Sequence, residues 1–554
     1  MNRISPNEGV PKLNSSFEFN KSKFITLVSL FMAPLTILQA SEKSKPNIVV
    51  IYTDDQGYGD MSALNPKSKF QTPNLDRLAN EGIVFTDGHC SDTVCTPSRY
   101  SLLTGRYSWR TSLKSGVLTA DGECLIAQDR MTVASLLKAN GYQTAMFGKW
   151  HLQMQFPGTV GHRDWSQPIT DGPTEHGFDY YFGIPASMNY GVLTFIENTH
   201  VTEAPSLWTH KKVTKEHNTF RFMPPYDTEP QSKSDIEIAP SFRDDICIKV
   251  CTEKTVDYIA SHAESAKAGK PLFIYLALSS PHLPHCPAPE FVGKSKVDAY
   301  GDFMMETDYR VGQVLDALDK YGLTANTLVF QSSDNGAETG YALRLQEYGH
   351  SSSGEFKGGK RDIYEGGHRV PFVMRWPGVI KPGRTCDETV CQLDLLATCA
   401  DIVHAKLPSN AGEDSYSLLP AMKGETYSHP LRGPLMHHSG SGYFAIRDGQ
   451  WKLNLFRGSG GSLKPTFIEP NPGEPPFELY DMKNDWRETT NVCDQHPEEV
   501  KRLEELATKI VREGRSTPGK VQKNDGPQLW PKLTWIPEAA SLKKMNDQQK
   551  NKDE

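Results

Sequence analysis

The segment from Cys95 to Gly105 reads Cys-x-Pro-Ser-Arg-x-x-Leu-x-x-Gly, which places a nucleophilic side chain next to a permanent cation. Pro97 suits the first turn of a helix and Gly105 its end, so the pattern predicts a short helix over residues 97–104 with Cys95 just ahead of it. Free N–H groups at that helix end favour an anion, and Arg99 adds positive charge one turn later. The segment therefore predicts attack on an anionic group.

Taken alone, Cys95 is better explained by a disulfide, for which Cys90 is a near neighbour. Other polar residues reverse that preference, because they follow predicted strands in four separate segments. Ligands of open α/β sheets bind at the carboxyl ends of the strands, so these segments would deliver their side chains to one edge. The residues are Asp54 and Asp55, Lys149 and His151, His282, and Asp334 and Asn335.

The elements that position these residues alternate between apolar, β-branched runs and helical patterns from residue 47 to about residue 430. This alternation is typical of an α/β fold with a mostly parallel central sheet flanked by helices. The predicted strands are 47–52, 144–147, 272–278, 327–330 and 370–374, and the predicted helices are 133–139 and 309–321.

After about residue 430 the pattern changes to short strands and turns, which predicts a smaller C-terminal α+β domain containing an antiparallel sheet. Segments 443–447 and 451–456 are joined through Asp-Gly, a hairpin signal, and a helix is predicted at 497–513. We expect a catalytic domain over 41–430, the smaller domain over 431–540, and a disordered charged tail over 541–554.

Residues 1–40 have the parts of a secretory signal peptide with the residues that precede it. Two lysines precede an apolar run over 24–38, and cleavage is expected after Ala40, so we expect a periplasmic or extracellular protein. No later segment approaches transmembrane length, so we expect no integral membrane association. The net charge of −7 argues against a nucleic-acid binder.

Export would permit disulfides among the ten cysteines. Cys386 with Cys391, and Cys247 with Cys251, are the candidate local pairs, although connectivity cannot be read from sequence. If oxidation to an aldehyde consumes Cys95, nine cysteines remain, so at least one of them stays unpaired or pairs between chains.

A second long pattern, Gly-Tyr-x-Thr-x-x-x-Gly-Lys-Trp-His, occupies residues 141–151. Together with the segment at Cys95, it resembles the formylglycine-dependent sulfatases of the alkaline phosphatase superfamily. The resemblance covers nearly the whole mature chain and implies an alkaline-phosphatase-like fold. It also implies that a sulfatase-maturing enzyme oxidises Cys95 to an aldehyde, the formylglycine.

The acidic residues after two of the strands resemble the divalent cation site of that family. Singly, an Asp-Asp pair is more often a turn or a cap. Oxygen donors without cysteine thiolates or histidines suit a hard cation, so calcium is expected, with magnesium second. The implied ligands are Asp54, Asp55, Asp334, Asn335 and the hydrated aldehyde derived from Cys95.

The resemblance also implies roles for four basic residues, with the aldehyde hydrate attacking the sulfur of a sulfate ester. Lys149 and Lys360 would neutralise the sulfate, His282 would protonate the leaving oxygen, and His151 would remove a proton to expel sulfate. Three neighbours remain competitors: Lys357 and Arg361 for Lys360, and His285 for His282.

Substrate contacts are less constrained by the sequence. Ser187 lies in a segment that resembles a sulfate-pocket segment of the family, and His176 could contact a sugar. Further candidates, which are equally explained as surface or supporting residues, are Arg163, His437 and His438.

These observations predict an exported sulfatase that acts on a sulfated carbohydrate. The alternatives are a phosphonate or phosphate ester hydrolase of the same superfamily, and a non-catalytic binder of sulfated glycans in which Cys95 stays unmodified.

Overall fold

The computed structural model describes residues 45–189, 191–214, 219–427, 430–539 and 541–542. The strands are β1 Asn47–Asp54, β2 Ile83–His89, β3 Gln143–Lys149, β4 Gly158–Thr159, β5 His162–Arg163, β6 Tyr180–Ile184, β7 Val192–Leu193, β8 Ile196–Glu197, β9 His200–Val201, β10 Leu207–Thr209, β11 Lys212–Thr214, β12 Thr219–Arg221, β13 Ile236–Ile238, β14 Leu272–Pro281, β15 Thr327–Ser333, β16 Phe372–Arg375, β17 Arg384–Cys391, β18 Leu435–His438, β19 Phe444–Asp448, β20 Trp451–Asn454 and β21 Glu478–Asp481. The helices are α1 Pro73–Glu81, α2 Cys95–Thr104, α3 Val133–Ala139, α4 Cys247–Lys267, α5 Ala299–Lys320, α6 Tyr341–Tyr348, α7 Glu365–His368, α8 Leu395–Ile402, α9 Leu419–Lys423 and α10 Pro497–Glu513.

A ten-stranded sheet forms the centre of the fold, in the order β17-β2-β16-β15-β1-β14-β3-β6-β8-β9. Strand β1 is parallel to β14 and β15, and β14, β3 and β6 continue the parallel set. Strand β16 is antiparallel to both of its neighbours, as is β8. The predicted mostly parallel central sheet is confirmed.

Helices cover both faces of this sheet, which is why its central strands are apolar along nearly their whole length. In β1 alternate side chains enter two different cores. Ile48 and Val50 pack with residues of α2, α3 and α8, whereas Val49 and Ile51 pack with residues of α1, α4 and α5. The sheet is therefore the middle layer of three.

A second, four-stranded antiparallel sheet has the order β18-β19-β20-β21. Its hairpin turns at Gly449, whose φ of 56° lies in the left-handed region, as the Asp-Gly signal predicted. Helix α10 packs on this sheet through residues such as Leu503 and Ile510. The predicted antiparallel sheet is confirmed, while the domain boundary at residue 430 stays a prediction.

Most predicted elements are present, with shifted ends. The helix expected at 97–104 begins at Cys95, so Cys95 is its first residue instead of preceding it. The helix expected at 309–321 begins at Ala299, because Asp298 caps it by accepting hydrogen bonds from the N–H groups of Tyr300 and Gly301. Apolar periodicity alone did not reveal that start.

All ten cysteines lie in the described ranges and are free thiols, so neither candidate disulfide pair forms. Cys386 and Cys391 lie opposite Phe85 and His89 of strand β2, and this four-residue interval separates the two cysteines by roughly 13 Å, too far for a disulfide. Cys247 and Cys251 share a helix face, where the two thiols hydrogen-bond to each other.

The described residues from Lys45 onward form one compact unit by their internal contacts. Among the described residues, no helix is long and apolar enough to cross a membrane. The predicted signal segment over 1–40 and most of the tail over 541–554 lie outside the described residues.

A buried ion pair ties the region after α2 to the segment before α9. Arg110 and Asp414 are both fully buried and joined by two hydrogen bonds of 2.8 Å. We expect Asp414→Ala to lower the free energy of unfolding by about 3–5 kcal/mol, because it leaves a buried guanidinium unpaired. Urea denaturation measures this loss. Asp316→Ala, which removes an exposed partner of Arg77, is the control and should cost no more than ~1 kcal/mol. Equal losses for the two variants would contradict the assignment.

Candidate active site

Four neighbouring strands of the large sheet end at one edge and carry the predicted polar residues there. The strands are adjacent in the order β15-β1-β14-β3. Asp54 is the last residue of β1 and Lys149 the last residue of β3, while His282 directly follows β14. The predicted convergence at the carboxyl ends of the strands is confirmed by the pairing of these strands.

Glycines permit the close backbone approaches at this edge. Gly148, directly before Lys149, has φ 98°, and a Cβ there would lie 2.0 Å from the carbonyl oxygen of Ala277. A Cβ on Gly336, directly after Asn335, would lie 1.8 Å from the carbonyl oxygen of Gly366. The second contact places the loop after β15 against the segment that carries Lys360.

Three carboxylates meet at the centre of the site. Asp54, Asp55 and Asp334 are buried, and they offer oxygens within 4.8 Å of one another. Asn335 joins them, because its Nδ2 donates to Asp55 Oδ1 at 2.7 Å. Two further buried oxygens, Asp54 Oδ1 and Asn335 Oδ1, have no hydrogen-bond partner among the described residues. Unpaired oxygens beside crowded carboxylates fit a bound hard cation.

Each carboxylate also contacts one buried cation. Lys149 Nζ lies 2.5 Å from Asp54 Oδ2, and Lys360 Nζ lies 2.6 and 2.8 Å from the two oxygens of Asp55. Arg99 donates to Asp334 Oδ2 from Nε at 3.1 Å and from Nη2 at 2.7 Å. The sequence suggested an oxyanion of the substrate as the partner of Arg99, whereas the structure pairs it with a carboxylate of the cluster.

This charge pattern separates the acid strengths of the carboxylates. Burial and the charge of Asp54 raise the pKa of Asp334 to about 7, against the lowering effect of Arg99. For Asp54, burial opposes ionisation, but Lys149, His282 and Arg99 together hold its pKa well below the usual range. Asp54 therefore keeps its negative charge, and this charge disfavours ionisation of the neighbouring Asp334.

Cys95 lies at this cluster, at the start of the fully buried helix α2. Its Sγ is within 4.8 Å of ligand atoms of Asp54 and His282. Burial raises the pKa of the Cys95 thiol, although Lys149 and Lys360 act in the opposite direction. The unmodified thiol is therefore neutral at pH 7 and a weak nucleophile.

The two predicted catalytic histidines are both buried at the site. Nδ1 of His282 is 2.6 Å from the carbonyl oxygen of Leu283, and its Nε2 is 3.8 Å from Asp55 Oδ2. Nε2 of His151 is 2.9 Å from the carbonyl oxygen of Leu118. Burial lowers the pKa of His282 to about 4, with a further contribution from Lys360, and burial and Lys149 lower the pKa of His151 well below its usual value.

The competing residues have other surroundings. Lys357 donates to the carbonyl oxygen of Glu488 and lies over the ring of Tyr364, and Arg361 is exposed. His285 packs edge-on against the ring of Tyr300. The geometry therefore favours Lys360 and His282 over these neighbours.

Of the predicted substrate contacts, Ser187 is buried and its Oγ has no hydrogen-bond partner among the described residues. Ser187 lies two residues after Pro185, whose carbonyl oxygen accepts a hydrogen bond from the N–H of His151 at 2.9 Å. His176 is not brought to the site: its buried ring stacks on Trp150 and bonds to Asp171 at 3.0 Å. Its surroundings give it a supporting role for the segment that carries Lys149 and His151.

Two of the remaining three candidates are also held by protein groups. Arg163 pairs with Asp121 and Glu237, and His438 bonds to Asp92 at 3.1 Å. His437 is fully buried. These surroundings favour the interpretation of Arg163 and His438 as supporting residues.

One group at the site was missed by the sequence analysis. The hydroxyl of Tyr300 donates to the carbonyl oxygen of Asp55 at 3.0 Å and also contacts Asp60, which in turn is 2.8 Å from His350. This network holds the turn in which Asp55 adopts a φ of 70°. The spacing could not have revealed these contacts, since Tyr300 is 245 positions from Asp55 and His350 is 290 positions from Asp60.

Comparison with known proteins decides the family. Residues 46–405 match the Sulfatase family, and residues 354–515 match the family described as N-sulphoglucosamine sulphohydrolase, C-terminal. The chain belongs to the sulfatase family. As a sulfatase it is a sulfuric ester hydrolase, and its fold is the alkaline-phosphatase-like fold expected from the motifs.

Two curated relatives cover most of this sulfatase. An N-acetylgalactosamine-6-O-sulfatase of Bacteroides thetaiotaomicron is 33% identical over 84% of this chain and 93% of its own length. Arylsulfatase A of Bos taurus is 33% identical over 88% of this chain and 92% of its own length. A solved structure from the glycosaminoglycan metabolism of B. thetaiotaomicron has a TM-score of 0.72 at 31% identity, covering 84% of this chain and 99% of that one.

The contact of Lys360 with Asp55 can be tested by substitution of Lys360, and the next residue, Arg361, serves as the matched control. Lys360→Met should lower kcat/KM for an aryl sulfate by about 100-fold or more, because it removes a buried charge from the site. Arg361→Met removes an exposed charge and should change kcat/KM by less than about 3-fold. The reverse order in steady-state kinetics would assign the role to Arg361.

The unpaired oxygens at the carboxylate cluster generate a second test. Exhaustive chelation should abolish turnover, and calcium should restore it better than magnesium, because flexible oxygen ligands suit the larger ion. Activity and bound metal are measured on the same samples. Full activity in protein shown to be free of metal would refute the cation site.

Proposed function

We propose that this sulfatase is exported and removes sulfate from sulfated carbohydrates, using a formylglycine derived from Cys95 and a bound calcium ion. The observation that carries the proposal is the meeting of Cys95, three carboxylates, two lysines and His282 in one buried cluster, with the buried His151 two residues after Lys149. Such a set offers a nucleophile, a cation site, charges for an anionic substrate and two groups for proton transfer.

Oxidation of Cys95 resolves the weakness of its buried thiol as a nucleophile. A neutral thiol at this position contributes little to attack on sulfur, whereas a hydrated aldehyde offers hydroxyl groups at the same place. The proposal therefore requires a sulfatase-maturing enzyme as a partner of the chain before or during folding, because Cys95 is only 2% exposed in the folded protein.

Calcium would be held by Asp54, Asp55, Asp334 and Asn335, together with the group derived from Cys95. When bound, it supplies Lewis acidity and neutralises the carboxylates that would otherwise repel an anionic substrate. The side chains of Lys149 and Lys360 are directed to this cluster, so they would hold the oxygens of the sulfate group by charge.

His282 is proposed to protonate the oxygen of the departing alcohol. In the free protein its lowered pKa leaves it neutral at pH 7. An anionic sulfate ester bound beside it would raise that pKa toward the working pH, because a nearby negative charge favours the imidazolium. His151 is proposed to accept the proton whose removal releases sulfate.

The choice of carbohydrate substrates is supported by the relatives. One relative is named for sulfate at position 6 of N-acetylgalactosamine, and the solved structure comes from glycosaminoglycan metabolism. Arylsulfatase A is equally similar, so an aryl sulfate serves as a general probe. A panel of sulfated N-acetylgalactosamine, N-acetylglucosamine and galactose isomers identifies the sugar and the position of its sulfate.

Two rival functions are separated by direct measurements. A phosphonate or phosphate ester hydrolase would turn over aryl phosphonate or phosphate faster than aryl sulfate. A binder without catalysis would hold sulfated glycans and show no turnover in the mature protein.

Mass spectrometry of the peptide that contains Cys95 is the decisive experiment. In active, exported protein we expect the aldehyde or its hydrate at this position. Cys95→Ala should lower kcat by more than about 1,000-fold, since it removes the nucleophile. Cys90→Ala is the matched control, because that thiol is also buried and should retain the modification. An unmodified Cys95 in fully active protein would overturn the proposed chemistry.

The two histidines are distinguished by the leaving group. His282→Ala should reduce turnover of esters with poor leaving groups by roughly 100-fold to 10,000-fold and affect activated aryl sulfates far less, because a good leaving group needs little protonation. His151→Ala should release about one equivalent of alcohol per site and then stall. Equal losses on both ester types for His282→Ala, or no such burst for His151→Ala, would show that the roles are wrongly assigned.

A further inference from the structure

Three histidines from distant parts of the chain meet in a second buried cluster. His89 ends strand β2, His368 ends helix α7 and His437 lies in strand β18. Each is fully buried, and each offers a ring nitrogen within 4.8 Å of those of the other two. We propose that these histidines bind a zinc ion, separate from the calcium proposed for the active site.

Two of these rings have one nitrogen that points away from the cluster and is hydrogen-bonded to a protein oxygen, as in metal sites. His89 Nε2 is 2.7 Å from a carboxylate oxygen of Asp87, and His368 Nε2 is 3.0 Å from the carbonyl oxygen of Ile363. Histidine ligands usually donate their other N–H to a carboxylate or a backbone carbonyl in this way. If both rings donate outward, their Nδ1 atoms, 2.9 Å apart, present lone pairs to each other. A cation shared by the two nitrogens turns this repulsive contact into a favourable one.

His437 supplies the observation that hydrogen bonding alone does not explain. Both of its ring nitrogens are buried and have no hydrogen-bond partner among the described residues. Its ring stacks on His368, with centroids 3.7 Å apart and planes inclined by 14°. A bound ion gives one of the two nitrogens a partner. The lone pairs of two stacked rings are parallel and do not converge on one ion. Binding of the ion therefore requires the His437 ring to tilt out of this stack.

The type of donor favours zinc over calcium or magnesium. Neutral imidazole nitrogens suit zinc and its neighbours in the first transition series, whereas calcium and magnesium prefer oxygen. Zinc–nitrogen bonds of about 2.0–2.1 Å in a tetrahedral site separate two ligand nitrogens by roughly 3.3 Å. This value lies between the 2.9 Å that separates the two Nδ1 atoms and the 4.8 Å within which all three rings offer a nitrogen.

Lys452 offers the competing explanation. Its Nζ is 3.0 Å from His368 Nε2, and it pairs with Glu365 at 3.1 Å and Glu488 at 2.8 Å. A hydrogen-bonded chain from Lys452 through His368 and His89 to Asp87 would satisfy those two rings without a metal. That chain leaves both nitrogens of His437 unpaired, which is why the observations favour the ion.

The experiment uses the full-length mature protein without a histidine tag, stripped with a chelator and then dialysed against Zn²⁺ in excess Ca²⁺. We expect one zinc per chain by elemental analysis, and a zinc-dependent rise in Tm. His437→Phe keeps an aromatic ring in the stack and removes both nitrogens, so zinc affinity should fall more than 10-fold and the rise in Tm should vanish. His210→Phe removes a partly exposed histidine outside the cluster and should behave as the wild type.

X-ray absorption of the zinc protein distinguishes this cluster from the carboxylates of the active site. The proposed cluster gives imidazole nitrogen ligands, whereas the active-site carboxylates would give oxygen ligands. No bound zinc in the wild type, an oxygen-only shell, or unchanged zinc binding by His437→Phe would each overturn the proposal. If His437→Phe does not fold, the absorption spectrum of the wild type decides by itself.

Discussion

The site depends on the neutralisation of three buried carboxylates. Asp54, Asp55 and Asp334 lie too close together to remain charged without cations, since an unpaired buried charge costs several kcal/mol or more. The structure gives each carboxylate one cation from a different segment: Lys149, Lys360 and Arg99 respectively. The positions of the loop after β3, the segment before α7 and helix α2 are therefore linked by charge as well as by packing.

The sheet and its glycines make this arrangement possible. Parallel pairing aligns the ends of β15, β1, β14 and β3, so that four loops emerge side by side. Gly148 and Gly336 then allow backbone contacts that any side chain would prevent. Helix α2 is buried on all sides, which presents Cys95 to the cluster and also shields it from solvent. In the maturation proposed above, the modifying enzyme needs access to Cys95, whereas this burial would protect the finished aldehyde, so the oxidation would have to precede the completion of folding.

The second cluster shows how little of a buried network a linear motif reveals. His89 is the last residue of β2, the strand that leads toward Cys95, and His368 lies in the glycine-rich segment that also carries Lys360. Both residues lie close in sequence to active-site residues. Their rings nevertheless meet His437, which lies in the small antiparallel sheet. The contact between the two sheets therefore includes a polar cluster as well as an apolar core.

The sequence by itself determined the family motifs, the α/β class, the strands that carry the site and the identity of most polar residues in it. These features are local, because a strand, a helix terminus or a motif is encoded within some ten residues. Tertiary structure alone decided which charges pair: Arg99 with Asp334, and Lys360, not Lys357 or Arg361, with Asp55. It also decided that His176 stacks on Trp150 outside the site and that the hydroxyl of Tyr300 donates to the carbonyl oxygen of Asp55. Such partners are far apart in the chain, and their choice depends on strand order, burial and backbone approach, which no local pattern records.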